Sequence, residues 1–315
     1  MRLGLLVLAG WALRRELAGV QMDELLRQFG GYGWHHATLA LAGTVGSFLV
    51  LGLIELLAIR HANTAHIPRR TVLTTAFVAN AFSQSIGLAL LTGAAVRVRA
   101  YARRGVDAAA VARISAFVTL TVTLGLLACG AIAFLASGEP LPVLHITLPV
   151  HPLGVVLGIV VLAYLCWSLV ASRDQVGRGR WQLRRPRPRA ALAQLLLSSA
   201  DWLLTGTVLF AVLPSSLGLE YGALLRAYLV AQTAGMASHV PGGAGVFEAV
   251  MLTLLATGAV TQRAGLVAAL VMFRVVYYLL PLLAALGVAA VAELRPRRVH
   301  RLAAPTHGRE LVHVE

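Results

Sequence analysis

The chain contains no lysine: all 27 of its basic side chains are arginine. Charge of either sign is scarce, at 13% of the residues against roughly 25% in soluble domains. That scarcity excludes an ordinary soluble enzyme. The 58% hydrophobic content, with a mean hydropathy of +0.77, excludes disorder, which needs low hydrophobicity. Cysteine is reduced to Cys129 and Cys166, both inside apolar runs, where they read as small packing residues rather than a disulfide or metal site. His145, His151 and the tail histidines lack metal-ligand spacing, and no phosphate-binding loop of the nucleotide-hydrolase type is present. Ser238 and His239 adjoin, but neighbours on one backbone make no nucleophile–base pair without a partner from elsewhere. No catalytic residue, metal or cofactor is expected.

What remains is a polytopic helical membrane protein. The apolar residues come in long continuous runs, not in the alternation of an outer-membrane barrel. Basic residues outnumber acidic ones 27 to 13, a formal net of +14. In a soluble protein this would suggest nucleic acid. Here the arginines fall between apolar runs, the placement expected of a membrane protein facing anionic lipid.

Apolar segments lie at 34–59, 71–96, 114–136, 152–171, 190–213, 221–237, 246–259 and 264–291. Ahead of them, Leu3 to Leu13 would rise only about 16 Å as a helix, short of a ~30 Å hydrocarbon core. Arg14 and Arg15 stand where a signal-peptide cleavage site should be. Residues 1–33 therefore read as the tail of a first membrane helix or as an interfacial amphipathic segment. Residues 34–294 form the transmembrane domain, and 295–315 form a basic tail.

The arginines set sidedness. Linker 60–70 has three, 97–113 has five, 172–190 has seven and Arg295–Arg309 has five, while 137–151 has none. By the positive-inside rule the four rich pieces and the C-terminus are cytoplasmic and 137–151 is external. Segment 71–96 then has arginine-rich sequence on both sides, so it is expected to dip in from the cytoplasm and return, with its turn at the polar stretch Asn80–Gly87. In the mirror case 221–259 enters and leaves from outside, broken at Ser238–Glu248, where Pro and a Gly cluster oppose a helix. The sequence thus predicts an all-α bundle with two re-entrant hairpins of opposite orientation. Such backbone is tolerated in a bilayer where protein or a hydrated cavity covers it, and paired interrupted segments point to a transporter's substrate site.

The sharpest local feature is Pro241-Gly242-Gly243-Ala244-Gly245 ahead of Val246-Phe247-Glu248. Two readings stand together: a Gly-rich turn and helix N-terminus that would hold a headgroup phosphate, and a hairpin closure with Glu248 capping the new helix. Asp201 and Arg274 sit mid-run, where charge is expensive. Tyr277, Tyr278 and Pro281 follow Arg274 on one helix face. Asp201 or Glu248 is expected to pair with Arg274. Arg97, Arg99 and Tyr101 leave the first hairpin at the cytoplasmic surface, either as phosphate partners or as an ordinary positive flank. Gly154 and Gly158 form a small-xxx-small packing pair.

Four stretches, GAAVRVRAYARRGVDAAAVARI (Gly93–Ile114), SSADWLLTGTVLFAVLP (Ser198–Pro214), YLVAQTAGMASHVPGGAGVFEAVML (Tyr228–Leu252) and FRVVYYLLPL (Phe273–Leu282), resemble the integral membrane domain of the lysylphosphatidylglycerol synthase/flippase family, the multiple peptide resistance factors. SHVPGG-x-GVFE is the most specific. The resemblance runs over nearly the whole chain, although the short N-terminal segment departs from the family's full first helix. It implies movement of aminoacylated phosphatidylglycerol between leaflets, without the soluble synthase domain. Carried onto this chain, the motif residues are Arg97, Asp201, Ser238, His239, Pro241, Gly242, Gly243, Gly245, Glu248, Arg274 and Tyr278. With Arg99, Tyr101 and Tyr277 they form the expected headgroup-binding set.

The expected function is phospholipid translocation across the bacterial inner membrane, of anionic or aminoacylated phosphatidylglycerol. The alternatives are a membrane partner or lipid-presenting subunit of a separately encoded synthase, and a membrane lipid transferase. Expected partners are phospholipid headgroups, anionic lipids at the arginine-rich loops, a soluble synthase and a second copy of the chain, with no nucleic acid.

Overall fold

The structure, a computed structural model, describes residues 33–64, 66–86, 89–137, 141–143, 146–170, 175–176, 183–238, 240–256 and 260–294. Residues 1–32, His239 and the tail from 295 lie outside it. Helices dominate: α1 (Trp34–His61), α2 (Arg69–Ile86), α3 (Ala89–Ala102), α4 (Ala108–Leu135), α5 (Val150–Val170), α6 (Pro188–Ala211), α7 (Tyr221–Ala237), α8 (Val246–Leu255), α9 (Val260–Phe273) and α10 (Leu280–Leu294). A six-residue π-helical stretch, Arg274–Leu279, joins α9 to α10. Two short antiparallel ribbons sit in connections, β1 (Leu141–Val143) with β2 (Ile146–Leu148), and β3 (Gln175–Val176) with β4 (Leu183–Arg184).

Among the described residues five helices are long and apolar enough to cross a membrane: α1, α4, α5, α6 and the composite Arg263–Val291. Their ends carry ordinary punctuation. Arg60 and His61 fall in the last turn of α1, where positive charge suits the helix dipole. The Asp107 side chain accepts the Ala110 N–H and caps α4, so that helix starts well before the apolar run at 114. Pro188 opens α6, where its missing N–H costs nothing.

The remaining helices come in two folded-back pairs. α2 and α3 pack on each other. A methyl group added at Gly93 would stand 2.5 Å from Ser83 Oγ, so residues equidistant from 87–88 are neighbours. Of the expected turn stretch Asn80–Gly87, residues 80–86 are helical, so the break comes only at its end. Asn80 Nδ2 donates to Ala76 C=O at 2.8 Å, which satisfies the amide within the helix, and α2 runs on to Ile86. The polar residues of this stretch face a cavity instead of making a turn. In the second pair α7 ends at Ala237 and α8 starts at Val246, with the break where Pro241 and the glycines predicted it. The ring of Tyr228 meets that of Phe247 at 6.0 Å, so α8 lies back along α7. With ten residues α8 is about 15 Å long and cannot cross a ~30 Å core.

The largest core cluster joins α6, α7, α8 and the last span through Trp202, Leu209, Tyr228, Phe247, Met251 and Phe273. A second joins α1, α3 and α4 through Ile54, Tyr101 and Ile114. A third packs Ala81 and Phe82 of α2 on Leu282 and Ala285 of α10. α5 is peripheral: 17% of its most apolar stretch is buried by protein, against 61% for the last span. It seats on α4 where a methyl at Gly154 would press on the backbone of Ala131 and Leu135, the packing role read for that residue. Cys129 is buried as expected, while Cys166 is exposed on α5.

Candidate functional site

A cavity of about 270 Å³ opens among α1, α2, α3, α4, α6, α7, the glycine turn and the π stretch. Asn80, Ser83, Gln84, Arg97, Asp201, Thr205, Gln232, Tyr277 and Tyr278 supply its polar lining, and Leu51, Val118, Val122 and Trp202 part of its apolar lining. Three polar clusters border it.

The first ties the α2–α3 pair to α1. Glu55, wholly buried on α1, receives Arg97 Nε on Oε1 at 2.8 Å and Arg97 Nη2 on Oε2 at 2.7 Å. Tyr101 Oη donates to Oε1 at 2.8 Å. Arg97 and Tyr101 are four residues apart on α3 and so share a face. The guanidinium fork matches both carboxylate oxygens, the strongest form of such a pair. Arg99 lies half-buried on the same helix and is not part of the lining.

The second cluster lies mid-bundle. Ser47 Oγ donates to Asp201 Oδ1 at 2.5 Å and lies 2.8 Å from Tyr277 Oη. Thr205 Oγ1 is 3.0 Å from the same phenol and 2.8 Å from Asp201 C=O. Gln84 Nε2 approaches Tyr277 Oη at 3.5 Å, and Gln84 Oε1 is buried with no hydrogen-bond partner. An orphan acceptor of that kind is unusual in a protein interior.

The third cluster is the glycine turn. Gly242, Gly243 and Gly245 have φ of 64°, 59° and 84°, a region open to glycine at little cost. Gly243 also passes Gly235 so closely that a methyl on it would stand 3.2 Å from the Gly235 Cα. Two of the turn's N–H groups are already bonded within the protein. Gly243 N–H donates to Val240 C=O at 2.8 Å, and Gly245 N–H to Glu248 Oε2 at 2.7 Å. The anion at the start of α8 is thus the protein's own carboxylate. Arg274 Nε binds Glu248 Oε1, its Nη1 and Nη2 reach Gly242 C=O at 3.4 Å, and its Cζ lies 5.6 Å from the Tyr278 ring centre.

Of the expected set, Arg97, Asp201, Gly242, Gly243, Tyr277 and Tyr278 line the cavity together. Glu248 and Gly245 hold the turn beside it. Pro241 opens the short 3₁₀ turn Pro241–Gly243. Ser238 ends α7, donating to Gly235 C=O at 2.7 Å and accepting the Val240 N–H at 3.2 Å. His239 is outside the described residues. The expectation that Asp201 or Glu248 meets Arg274 resolves in favour of Glu248. Sequence reasoning placed no role on Glu55, although an acid in so apolar a run was a signal for it. Ser47, Gln84, Thr205 and Gln232 carried no signal, since each is a common residue in a common setting.

Comparison with known proteins agrees with this architecture. The family model for the lysylphosphatidylglycerol synthase TM region matches residues 1–285. The uncharacterized protein slr0712 of Synechocystis sp. is 34% identical over 94% of this chain and 92% of its own length. The inner membrane protein YbhN of Escherichia coli is 33% identical over 85% of this chain and 83% of its own. A phosphatidylglycerol lysyltransferase of Staphylococcus aureus (strain COL) is 22% identical over 90% of this chain, which spans only 32% of that longer protein. A helical bundle with five membrane-length apolar helices among its described residues, and with this match along almost its full length, is a multi-pass membrane protein, and it belongs to the family defined by the lysylphosphatidylglycerol synthase TM region.

Proposed function

We propose that the chain moves phospholipids between the leaflets of a bacterial inner membrane, with anionic or aminoacylated phosphatidylglycerol as the class carried. The observation that carries this reading is the polar cavity between two folded-back helix pairs, set inside a bundle with an apolar exterior. A headgroup needs hydrated, hydrogen-bonding surroundings to pass a hydrocarbon core, while its acyl tails can stay in lipid. The reading places α2–α3 as a dip from the cytoplasmic face and α7–α8 as a dip from the outer face, with the arginine-rich pieces and the C-terminus cytoplasmic. The headgroup then meets Arg97 and the hydroxyls around Asp201 from one side, and the glycine turn with Arg274 from the other.

The test is reconstitution of the purified chain in vesicles with fluorescent phosphatidylglycerol derivatives. Exchange between leaflets well above that of empty vesicles is expected. Exchange no faster than in empty vesicles, across several headgroups, rejects the reading.

A second reading has its own support. This chain spans about a third of the lysyltransferases it resembles, which suits a membrane subunit that presents lipid to, or receives it from, a separately encoded synthase. Co-purification with a soluble aminoacyl-lipid synthase, with no exchange by the chain alone, would favour it. Headgroup turnover by the purified chain would instead favour a lipid transferase.

A further inference from the structure

The three carboxylates around the cavity are not equivalent. Glu55 is compensated by the Arg97 fork and the Tyr101 hydroxyl. Glu248 is compensated by Arg274 and the Gly245 N–H. Asp201 lies near the middle of α6, 6% exposed, and no described Arg or His nitrogen comes within ion-pair distance of it. The groups that face it are Ser47 of α1, Tyr277 of the π stretch, Tyr228 of α7 and Cys129 of α4. None of these carries positive charge. Arg97 lines the same cavity but is committed to Glu55.

The hydroxyl protons can be counted. Ser47 has one O–H and gives it to Asp201 Oδ1, so Tyr277 must be the donor in its 2.8 Å contact with Ser47. A relay from Tyr277 through Ser47 therefore ends on Oδ1, which accepts the Ser47 hydroxyl. Oδ2 has no hydrogen-bond partner among the described residues and is not among the sealed polar atoms, which leaves it to the cavity that Asp201 lines. A proton arriving from cavity water binds Oδ2 without displacing a bond already made.

We propose that Asp201 is a proton-carrying site, loaded from one end of the cavity and unloaded to the other, and that its loading is coupled to headgroup passage. The inference rests on the translocation reading and adds an energy source to it. The coupling follows from charge. Arg97 with Glu55 and Arg274 with Glu248 each sum to zero, so an ionised Asp201 leaves the cavity at a net of minus one. A bare carboxylate at this depth is costly and repels a phosphate. When H⁺ adds to Oδ2, the carboxylate becomes a neutral acid and the repulsion is gone. By linkage, whatever the proton does for the phosphate, the phosphate does for the proton. Proton and anionic headgroup therefore cross in the same direction, and the proton leaves to water on the far side.

Two measurements test this on the full chain. In phosphatidylglycerol vesicles with a trapped pH dye, a proton gradient should change leaflet exchange by about fivefold or more, with dye-reported proton movement accompanying it. Asp201→Asn should abolish both the gradient response and the proton movement, and Asp201→Glu should retain them. In purified protein, infrared spectra taken across a pH titration should show a carboxylic-acid C=O band that Asp201→Asn removes. Wild-type exchange that ignores the gradient, with a band that survives Asp201→Asn, overturns the proposal and leaves translocation standing. A band that Asp201→Asn removes, in a chain that exchanges no lipid of any headgroup, overturns translocation and leaves the proton site.

Discussion

Replacing Glu55 by Gln would leave the Arg97 guanidinium buried against a neutral amide. Breaking a buried pair by removing one partner costs about 3–5 kcal/mol. Tyr101→Phe removes one hydrogen bond to a charged group, about 1.5–3 kcal/mol, and Arg97 Nε still serves the same oxygen. Cys129 offers a reporter, since it is buried while Cys166 is exposed. In a Cys166→Ser background, heat-induced labelling of Cys129 should show midpoints in the order wild type, Tyr101→Phe, Glu55→Gln. Equal midpoints would mean that the Glu55–Arg97–Tyr101 cluster contributes nothing to stability. The sequence shows Glu55 as a charge near the end of an apolar run and Arg97 as the first of several closely spaced arginines. That they meet depends on how α3 folds back, which no local pattern encodes. A positive flank is the commoner reason for arginine at a helix end, and it masks the one arginine that turns inward.

At the scale of elements the glycine turn makes an argument with two signs. Gly243→Ala forces an L-residue into the left-handed region, at a cost of about 1–2 kcal/mol, and pushes a methyl toward Gly235. Gly222 is an exposed position in the first turn of α7, with open space around it. There Ala should stabilise the helix by about 0.5–1 kcal/mol. The Cys129 labelling midpoint should therefore fall for Gly243→Ala and rise for Gly222→Ala; a shift of the same sign in both would show that the turn geometry is unimportant. The α7–α8 break was legible because Pro241 and three glycines forbid a straight helix. The α2–α3 break was drawn too early, over Asn80–Gly87 and not after Ile86, because Asn80, Ser83 and Gln84 look like a polar turn. Inside a membrane bundle, a polar cluster marks either a turn or a wet face, and only packing decides which. Arg274, Tyr277 and Tyr278 stood out in the sequence, but nothing in Arg274–Leu279 marked a π-helical turn.

For the whole molecule, the arrangement of crossings is the testable property. In a background without Cys129 and Cys166, single cysteines at exposed His66 and Ala108 flank the α2–α3 pair, and at exposed Ser215 and Arg263 they flank α7–α8. Membrane-impermeant thiol reagents should reach the first two only from the cytoplasmic side and the last two only from outside. His66 and Ala108 reacting from opposite sides would turn α2–α3 into a crossing. The membrane-length helices were legible because long apolar runs have few alternatives in a chain with 13% charge. Sidedness is expected from arginine counts alone, and the four cysteines test it.

On the proposed topology the five membrane-length helices among the described residues cross the bilayer and both folded-back pairs return to their own side. Five is odd, so on that topology the backbone at Gly33 and the backbone at Leu294 would emerge into different compartments. A soluble module continuing from Leu294 would share water with the arginine-rich loops and never with whatever precedes α1. Partners recruited at the two ends would sense each other only through the bundle between them.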